Sequence, residues 1–402
     1  MNRNDRAIVA VAMIAHAMVH TYELSIPIFV TIWLSSFDVG TGQLGLVVSA
    51  GYALFGLGAL PGGILADSVG SKPLIAVSLF GMGLSFVLLS FASSVLLVAV
   101  ALGFWGIAAS VYHPSGLSLI SKGVEERGNA FAFHGMAGNL GIALGPLAAS
   151  VLLLVFDWTR VALILATPAL LGGALALWID FEEAAAVDDE DVEATSSVAS
   201  LGEFLAESRT LFLSAFAVVF GIVMLSGLYY RGILTFFPEF VGSFQMFHPV
   251  EFANRTLEPA NYIYSGLLLL GMVGQYAGGK LSDRMPPARG LVIGYGILAV
   301  VALVYLPVAS RGAIAFLLLS AVLGVFLFMV QPLYQASVAD YTPAGTRGLS
   351  YGYFYLGAFG IGALGAAIAG TVLEFFSAVI LFGILALIAT VAGGMSVYLT
   401  TR

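Results

Sequence analysis

The sequence predicts an all-α membrane protein of twelve transmembrane helices in two pseudo-symmetric six-helix bundles. Three observations predict it. The 402 residues are 60% hydrophobic and only 9% charged, against about 25% charged residues in an ordinary soluble domain, and the mean hydropathy is +1.01. A chain this apolar cannot cover its own surface in water. It breaks at charges, prolines and glycines into twelve apolar runs, each near the ~20 residues that a spanning helix needs. Finally, a group of small and charged residues near the second run returns near the eighth at a constant offset.

The runs lie at 7–34, 43–66, 73–92, 94–121, 128–156 and 158–180, then at 209–238, 258–282, 289–309, 311–340, 346–374 and 376–400. The first is longer than the ~7–15 apolar residues of a signal peptide and is expected to be a spanning helix. Residues 181–208 are acidic and polar. They are expected to form a solvated cytoplasmic linker between an N-terminal bundle, 1–180, and a C-terminal bundle, 209–402. The loop 242–257 is the largest external connection. With an even helix number, one side of the membrane collects 11 lysines and arginines and the other 3, with Arg231 inside a helix. Basic loops stay inside, so both termini are expected in the cytoplasm and the chain in the cell membrane.

Composition also excludes classes. No cysteine is present, so there is no disulfide framework and no thiolate metal site. The net charge is −8 with no basic patch, which excludes a nucleic-acid partner. Nothing resembles a nucleotide-binding loop, so ATP drive and cofactors are not expected. The expected partners are the lipid bilayer, a small-molecule substrate and protons, with the chain a monomer and not an enzyme.

The repeat is explicit. The second run ends Gly58-Ala-Leu-Pro-Gly62-Gly63-Ile-Leu-Ala-Asp67, and the eighth ends Gly274-Gln-Tyr-Ala-Gly278-Gly279-Lys-Leu-Ser-Asp283, 216 residues later. Arg127-Gly128 returns as Arg347-Gly348. Repeated halves of this kind place a substrate site at their interface near the bilayer midplane.

Asp67 falls at the C-terminal end of the second helix, where the helix dipole disfavours a negative charge. A compensating partner is therefore expected, such as another helix N-terminus or Arg127. Gly70 permits a tight turn, and Lys72 anchors at the lipid–water boundary. The stretch from Gly63 through Asp67 and Gly70 to Lys72 resembles the cytoplasmic loop motif of the major facilitator superfamily, with Ser71 where that motif has Arg. The copy at Gly279, Asp283 and Arg284 is similar and weaker. The resemblance implies a conformational latch at Gly63, Asp67, Gly70, Lys72, Arg127, Asp283 and Arg284; otherwise the loop is a topology signal.

His16, His20 and Glu23 fall at i, i+4 and i+7 and share a helical face. Titratable groups at membrane depth are costly and face polar interiors. Glu23 and His20 are the best proton-carrier candidates, the plainer reading being a structural His–Glu bond. One face of one helix supplies too few ligands for a metal, so none is expected. His113 and His134 lie within about 10–15 Å of the turn at 122–127 by helix rise, and are either buried structural histidines or part of the path. Asn139 is interhelical glue or a path-lining hydrogen bonder. Gly141, Gly145 and Pro146 form a small-residue packing seam. Arg231 attracts an anionic substrate group, pairs with Glu239 or Glu23, or snorkels outward. Gln331 and Gln335 are neutral hydrogen bonders for the cavity.

His113-Pro-Ser-Gly116, Gly138-Asn-Leu-Gly-Ile-Ala-Leu-Gly-Pro146 and Ile233-Leu-Thr-Phe-Phe-Pro238 resemble the fosmidomycin-resistance group of facilitator transporters, as does the run His16, His20, Glu23, Pro27. Ser115 stands where that group often has an acid. Gly141 and Gly145-Pro146 partly match the antiporter motif of drug exporters. The resemblance implies a secondary transporter that moves a small organic solute by alternating access, with proton-coupled efflux leading. Proton symport of an organic anion is the alternative, and a non-transporting membrane sensor or scaffold is the alternative of another class.

Overall fold

The structure is a computed structural model that describes residues 1–187, 201–252, 255–343 and 346–401. The described residues are almost wholly helical. Eleven helical spans among them are long and apolar enough to cross a membrane. The remaining expected run is also a continuous helix, Pro259–Ser282 of 24 residues. It is less apolar because Asn261, Gln275 and its glycines dilute the leucine run.

In chain order the first helices are α1 (Arg3–Ser36), α2 (Thr41–Leu57), α3 (Ala59–Val69), α4 (Ser71–Ser90), α5 (Val95–Ser110), α6 (Tyr112–Gly123), α7 (Arg127–Leu153) and α8 (Trp158–Trp178). Then follow α9 (Leu201–Phe212), α10 (Phe216–Leu234), α11 (Phe237–Gly242), α12 (Pro259–Ser282), α13 (Pro287–Ala309), α14 (Ala313–Tyr341), α15 (Arg347–Tyr355), α16 (Leu364–Phe375) and α17 (Ala378–Leu399). A small hairpin, β1 (Val250–Phe252) with β2 (Arg255–Leu257), sits in the loop expected to be external. Helix α9 begins inside the acidic segment expected to be linker.

Packing divides the chain into two compact units. One is Met1–Ile26 with Ala50–Leu205; the other is Pro27–Ser49 with Ala206–Arg402. Side chains cap the first turns of α5 and α8, whose leading N–H groups have no partner within the helix. Ser94 accepts from the Leu97 N–H at 3.4 Å and Asp157 from the Arg160 N–H at 3.0 Å. The Thr159 hydroxyl and that N–H hold the Asp157 carboxyl below the usual carboxylate range. Its capping is present above the ordinary aspartate pKa and is lost as pH falls through the depressed one.

In the first unit the span made of α5 and α6 is interrupted at Val111. Pro114 has no N–H to give the carbonyl four residues back. Ser115 restores the ladder, its N–H reaching the Val111 carbonyl at 3.3 Å and its hydroxyl the same oxygen at 2.7 Å. Helix α7 lies against α1 along its small residues. A Cβ at Gly141 would stand 2.2 Å from the Ala17 carbonyl oxygen, and one at Gly145 would stand 2.6 Å from the Thr21 Cα.

In the second unit a π-helical turn, Leu356–Ile361, joins α15 to α16 beside α10. A Cβ at Gly227 of α10 would come 2.3 Å from the Ala358 carbonyl oxygen of that turn. The start of α2 also belongs to this unit. The Thr41 hydroxyl donates to the Gly370 carbonyl at 2.8 Å, and the Gly42 N–H donates to Glu374 Oε2 at 2.6 Å.

Gly141→Leu is expected to lower the thermal unfolding midpoint of the detergent-solubilised protein, since overpacking such a contact costs about 1–3 kcal/mol. Gly135→Leu, at a position whose Cβ would meet nothing within 4 Å, is expected to leave it nearly unchanged. Equal midpoints for the two variants would dissolve the close-packed seam.

Candidate transport site

Helix α1 places His16, His20 and Glu23 on one face, and the first unit brings α6 and α7 to that face. His20 Nδ1 lies 2.5 Å from Glu23 Oε2, and His20 Nε2 lies 3.1 Å from His16 Nε2. His16 Nδ1 donates to the His134 carbonyl at 2.8 Å. The His16 ring stacks on that of His134, with centroids 3.8 Å apart and planes 12° from parallel. His113 from α6 sets its ring edge-on to His16 and His20, at 5.3 and 5.5 Å. The Tyr112 hydroxyl donates to the Ala12 carbonyl at 2.5 Å, so its oxygen accepts from His134 Nε2 at 3.0 Å. Glu23 is 1% exposed, and His113 and His134 are buried.

These bonds restrict the protons. A carbonyl only accepts, so His16 Nδ1 carries the hydrogen and His16 Nε2 presents a lone pair whenever the ring is neutral. Filling the Nε2–Nε2 contact with a hydrogen bond requires a proton on His20 Nε2. Completing the His20–Glu23 contact requires another, on His20 Nδ1 or on the Glu23 carboxyl. The run Glu23–His20–His16 is thus complete with one proton more than a carboxylate and two neutral imidazoles supply. It is a short hydrogen-bonded wire along one face of α1.

Close packing makes the wire possible. A Cβ at Gly138 would meet His16 Cε1 at 2.5 Å, so only glycine lets the His16 ring lie against α7. Pro146 lies within α7, and its carbonyl accepts the Ser150 hydroxyl at 2.8 Å. Asn139, one residue beyond Gly138, is half-buried and stands outside the histidine group. Tyr112, which ties α6 to both α1 and His134, had no role in the sequence reading. Its position directly before His113-Pro114 was the available signal.

At the other expected site, Gly70 takes φ +95°, the left-handed region that glycine tolerates, and turns the chain from α3 into α4. Lys72 pairs with Asp180 at 3.6 Å and lies over the Phe181 ring at 5.1 Å. Arg127 donates to the Ala186 carbonyl at 3.1 Å. Both basic residues thus engage the start of the acidic segment. Glu183 Oε2 accepts the Ser71 N–H at 2.6 Å, Asn4 Oδ1 accepts the Glu182 N–H at 2.8 Å, and the Lys122 carbonyl accepts the Ala186 N–H at 3.0 Å. The Asp67 side chain lies outside the described residues. Gly63 is half-buried, and Asp283 and Arg284 are exposed at the end of α12.

In the second unit Arg231 is 2% exposed, near the end of α10. Its guanidinium carbon lies 5.5 Å from the Tyr230 ring centre and 5.8 Å from that of Phe359, in the π turn. Burial of this depth rules out the snorkelling alternative. Gln331 is half-buried and Gln335 exposed on α14.

Known proteins share both sequence and fold with this chain. The gentisate transporter of Corynebacterium glutamicum is 25% identical over 348 residues, covering 83% of this chain and 72% of that protein. A multi-drug resistance efflux pump PmrA homolog of Lactococcus lactis subsp. lactis is 32% identical over 138 residues, covering 32% of this chain and 33% of its own. A crystal structure of a mutant nucleoside transporter NupG superposes with a TM-score of 0.79 at 14% identity, covering 98% of this chain and 99% of the other. The family model described as Major Facilitator Superfamily matches residues 9–366 and 253–402. With that match over a fold of repeated membrane-spanning helices, the chain belongs to the major facilitator superfamily of multi-pass membrane transporters, and its substrate is a small molecule.

Proposed function

We propose that the chain exports a small organic solute across the cytoplasmic membrane in exchange for protons, by alternating access, as a monomer with both termini in the cytoplasm. The observation that carries this reading is the wire Glu23–His20–His16 on a helix that crosses the bilayer. A carboxyl this buried at membrane depth is retained for a reason, and a wire that is complete only with one extra proton is suited to take one up and give it back. The efflux direction is supported by the small-residue motif of Gly141 and Gly145-Pro146, and by the efflux pump among the relatives. His113-Pro114 and the stretch from Gly138 to Pro146 support placement near the fosmidomycin-resistance group. The contacts of Lys72 and Arg127 with residues 180–187 support a cytoplasmic latch that includes the start of the acidic segment.

The test is flux in proteoliposomes under an imposed proton gradient, with candidate solutes first selected by thermal stabilisation of the purified protein. Solute moving against the proton flow supports exchange. Glu23→Gln is expected to abolish gradient-driven transport, roughly 100-fold or more in initial rate given the usual ~10²–10⁴-fold worth of a positioned proton-transfer group, while counterflow of solute without a gradient persists. Gradient-driven flux equal to the unmodified protein's would remove Glu23 from the coupling.

A second reading is proton symport of an organic anion. The observation favouring it is Arg231, a buried cation held against two aromatic faces in the second unit. Arg231→Gln is expected to raise the KM for an anionic solute at least tenfold while a neutral analogue is unaffected. Equal changes for both solutes would assign Arg231 to structure.

A further inference from the structure

We propose that His16, His20 and His113 form a binding site for one divalent transition-metal ion. The inference goes beyond the proton reading, because it rests on donor geometry and not on coupling. Two imidazoles already point their Nε2 atoms at one another, 3.1 Å apart. Two nitrogens on one tetrahedral ion at Zn–N distances of ~2.0–2.1 Å stand about 3.3 Å apart. The gap between His16 and His20 is close to that edge. The third imidazole arrives from a different helix, and ligand atoms of all three histidines lie within 4.8 Å of one another. A rotamer adjustment of His113 on the order of an ångström would complete a trigonal face. The argument that one helix supplies too few ligands therefore fails once α6 packs on α1.

The outer partners point the same way. A metal-bound histidine almost always gives its other ring N–H to a carboxylate or a backbone carbonyl, which fixes the tautomer and strengthens the ligand. His16 Nδ1 gives its hydrogen to the His134 carbonyl, and His20 Nδ1 faces the Glu23 carboxyl. These are the two commonest forms of that support, on adjacent turns of one helix. When His20 gives its Nδ1 hydrogen to Glu23, the two Nε2 lone pairs face each other with no hydrogen between them. A single cation relieves that opposition. It also places positive charge beside Glu23, whose carboxylate is otherwise expensive to bury.

The donors select the ion. Three imidazole nitrogens suit Zn²⁺, Co²⁺, Ni²⁺ or Cu²⁺, whereas Mg²⁺ and Ca²⁺ require oxygen ligands. Glu23 remains as the outer partner, with water or solute oxygen as the fourth ligand. A bound ion would bridge α1 and α6, so occupancy should also stabilise the first unit.

The test uses the full-length protein, stripped with a chelator and dialysed in detergent against Zn²⁺, with no gradient and no solute. About one Zn²⁺ per chain is expected. His16→Gln and His113→Gln are each expected to weaken binding at least tenfold, and Glu23→Gln to weaken it about 10–100-fold through the outer partner. Absence of stoichiometric binding overturns the proposal. So does binding that is indifferent to His113→Gln, which would place the metal elsewhere, such as on the acidic segment. Should a histidine variant fail to fold, Co²⁺ on the unmodified protein decides: intense visible bands of a low-coordinate nitrogen site support the proposal, and weak six-coordinate bands overturn it. Protein that binds Zn²⁺ yet moves no protons would keep this inference and lose the coupling; proton-coupled flux without Zn²⁺ binding would do the reverse.

Discussion

The candidate site depends on the closeness of α7 to α1. Three glycines, Gly138, Gly141 and Gly145, each face α1 where a Cβ would collide with a ring, a carbonyl or a backbone carbon. Hydrocarbon offers no hydrophobic drive between helices, so close packing and polar contacts must hold such a pair. Both are present. The seam brings the His134 carbonyl to hydrogen-bond distance of His16 Nδ1, and that bond orients the imidazole ring. The ring's other nitrogen then meets His20, and His20 meets Glu23. Packing of backbone against backbone thereby sets the contacts of a chain of polar side chains.

The histidines also show how a broken helix serves a site. Pro114 interrupts the ladder of the α5–α6 span directly after His113. Tyr112, on the other side of His113, reaches the Ala12 carbonyl and His134. Tyr112 thus clamps α6 to α1 and α7, and His113 follows it into the histidine group. A straight apolar helix would hold its histidine less firmly, since only that side chain would make polar contacts with its neighbours.

The helices were legible because the bilayer imposes one requirement on every span, about twenty apolar residues, and the repeat was legible because Gly58, Gly62, Gly63 and Asp67 return together 216 residues on. The shared face of His16, His20 and Glu23 followed from helical period alone. The meeting of His113 with that face did not, because it depends on how α6 packs on α1, which the helical period of either segment does not set. The partners of Lys72 and Arg127 were hidden for another reason. Residues 181–187 read as polar linker, yet their backbone groups and Glu183 bond to the ends of α1, α4 and α6. The π turn and the small hairpin left no periodic trace. For Arg231, substrate attraction, pairing and snorkelling stood side by side, because a side chain long enough to snorkel gives no sequence signal of its choice.

The start of α2 has a consequence for how the chain is made. Its first free N–H groups are not capped by a neighbouring serine or aspartate. The Gly42 N–H is received by Glu374, and Thr41 turns its hydroxyl to Gly370, both more than 320 residues later in the sequence. A ribosome delivers α2 to the membrane long before α16 exists. Until α16 arrives, the leading turn of α2 must take its hydrogen bonds from water or headgroups at the membrane surface. The leading end of α2 is therefore among the last parts of the molecule to settle, although it is among the first to be synthesised.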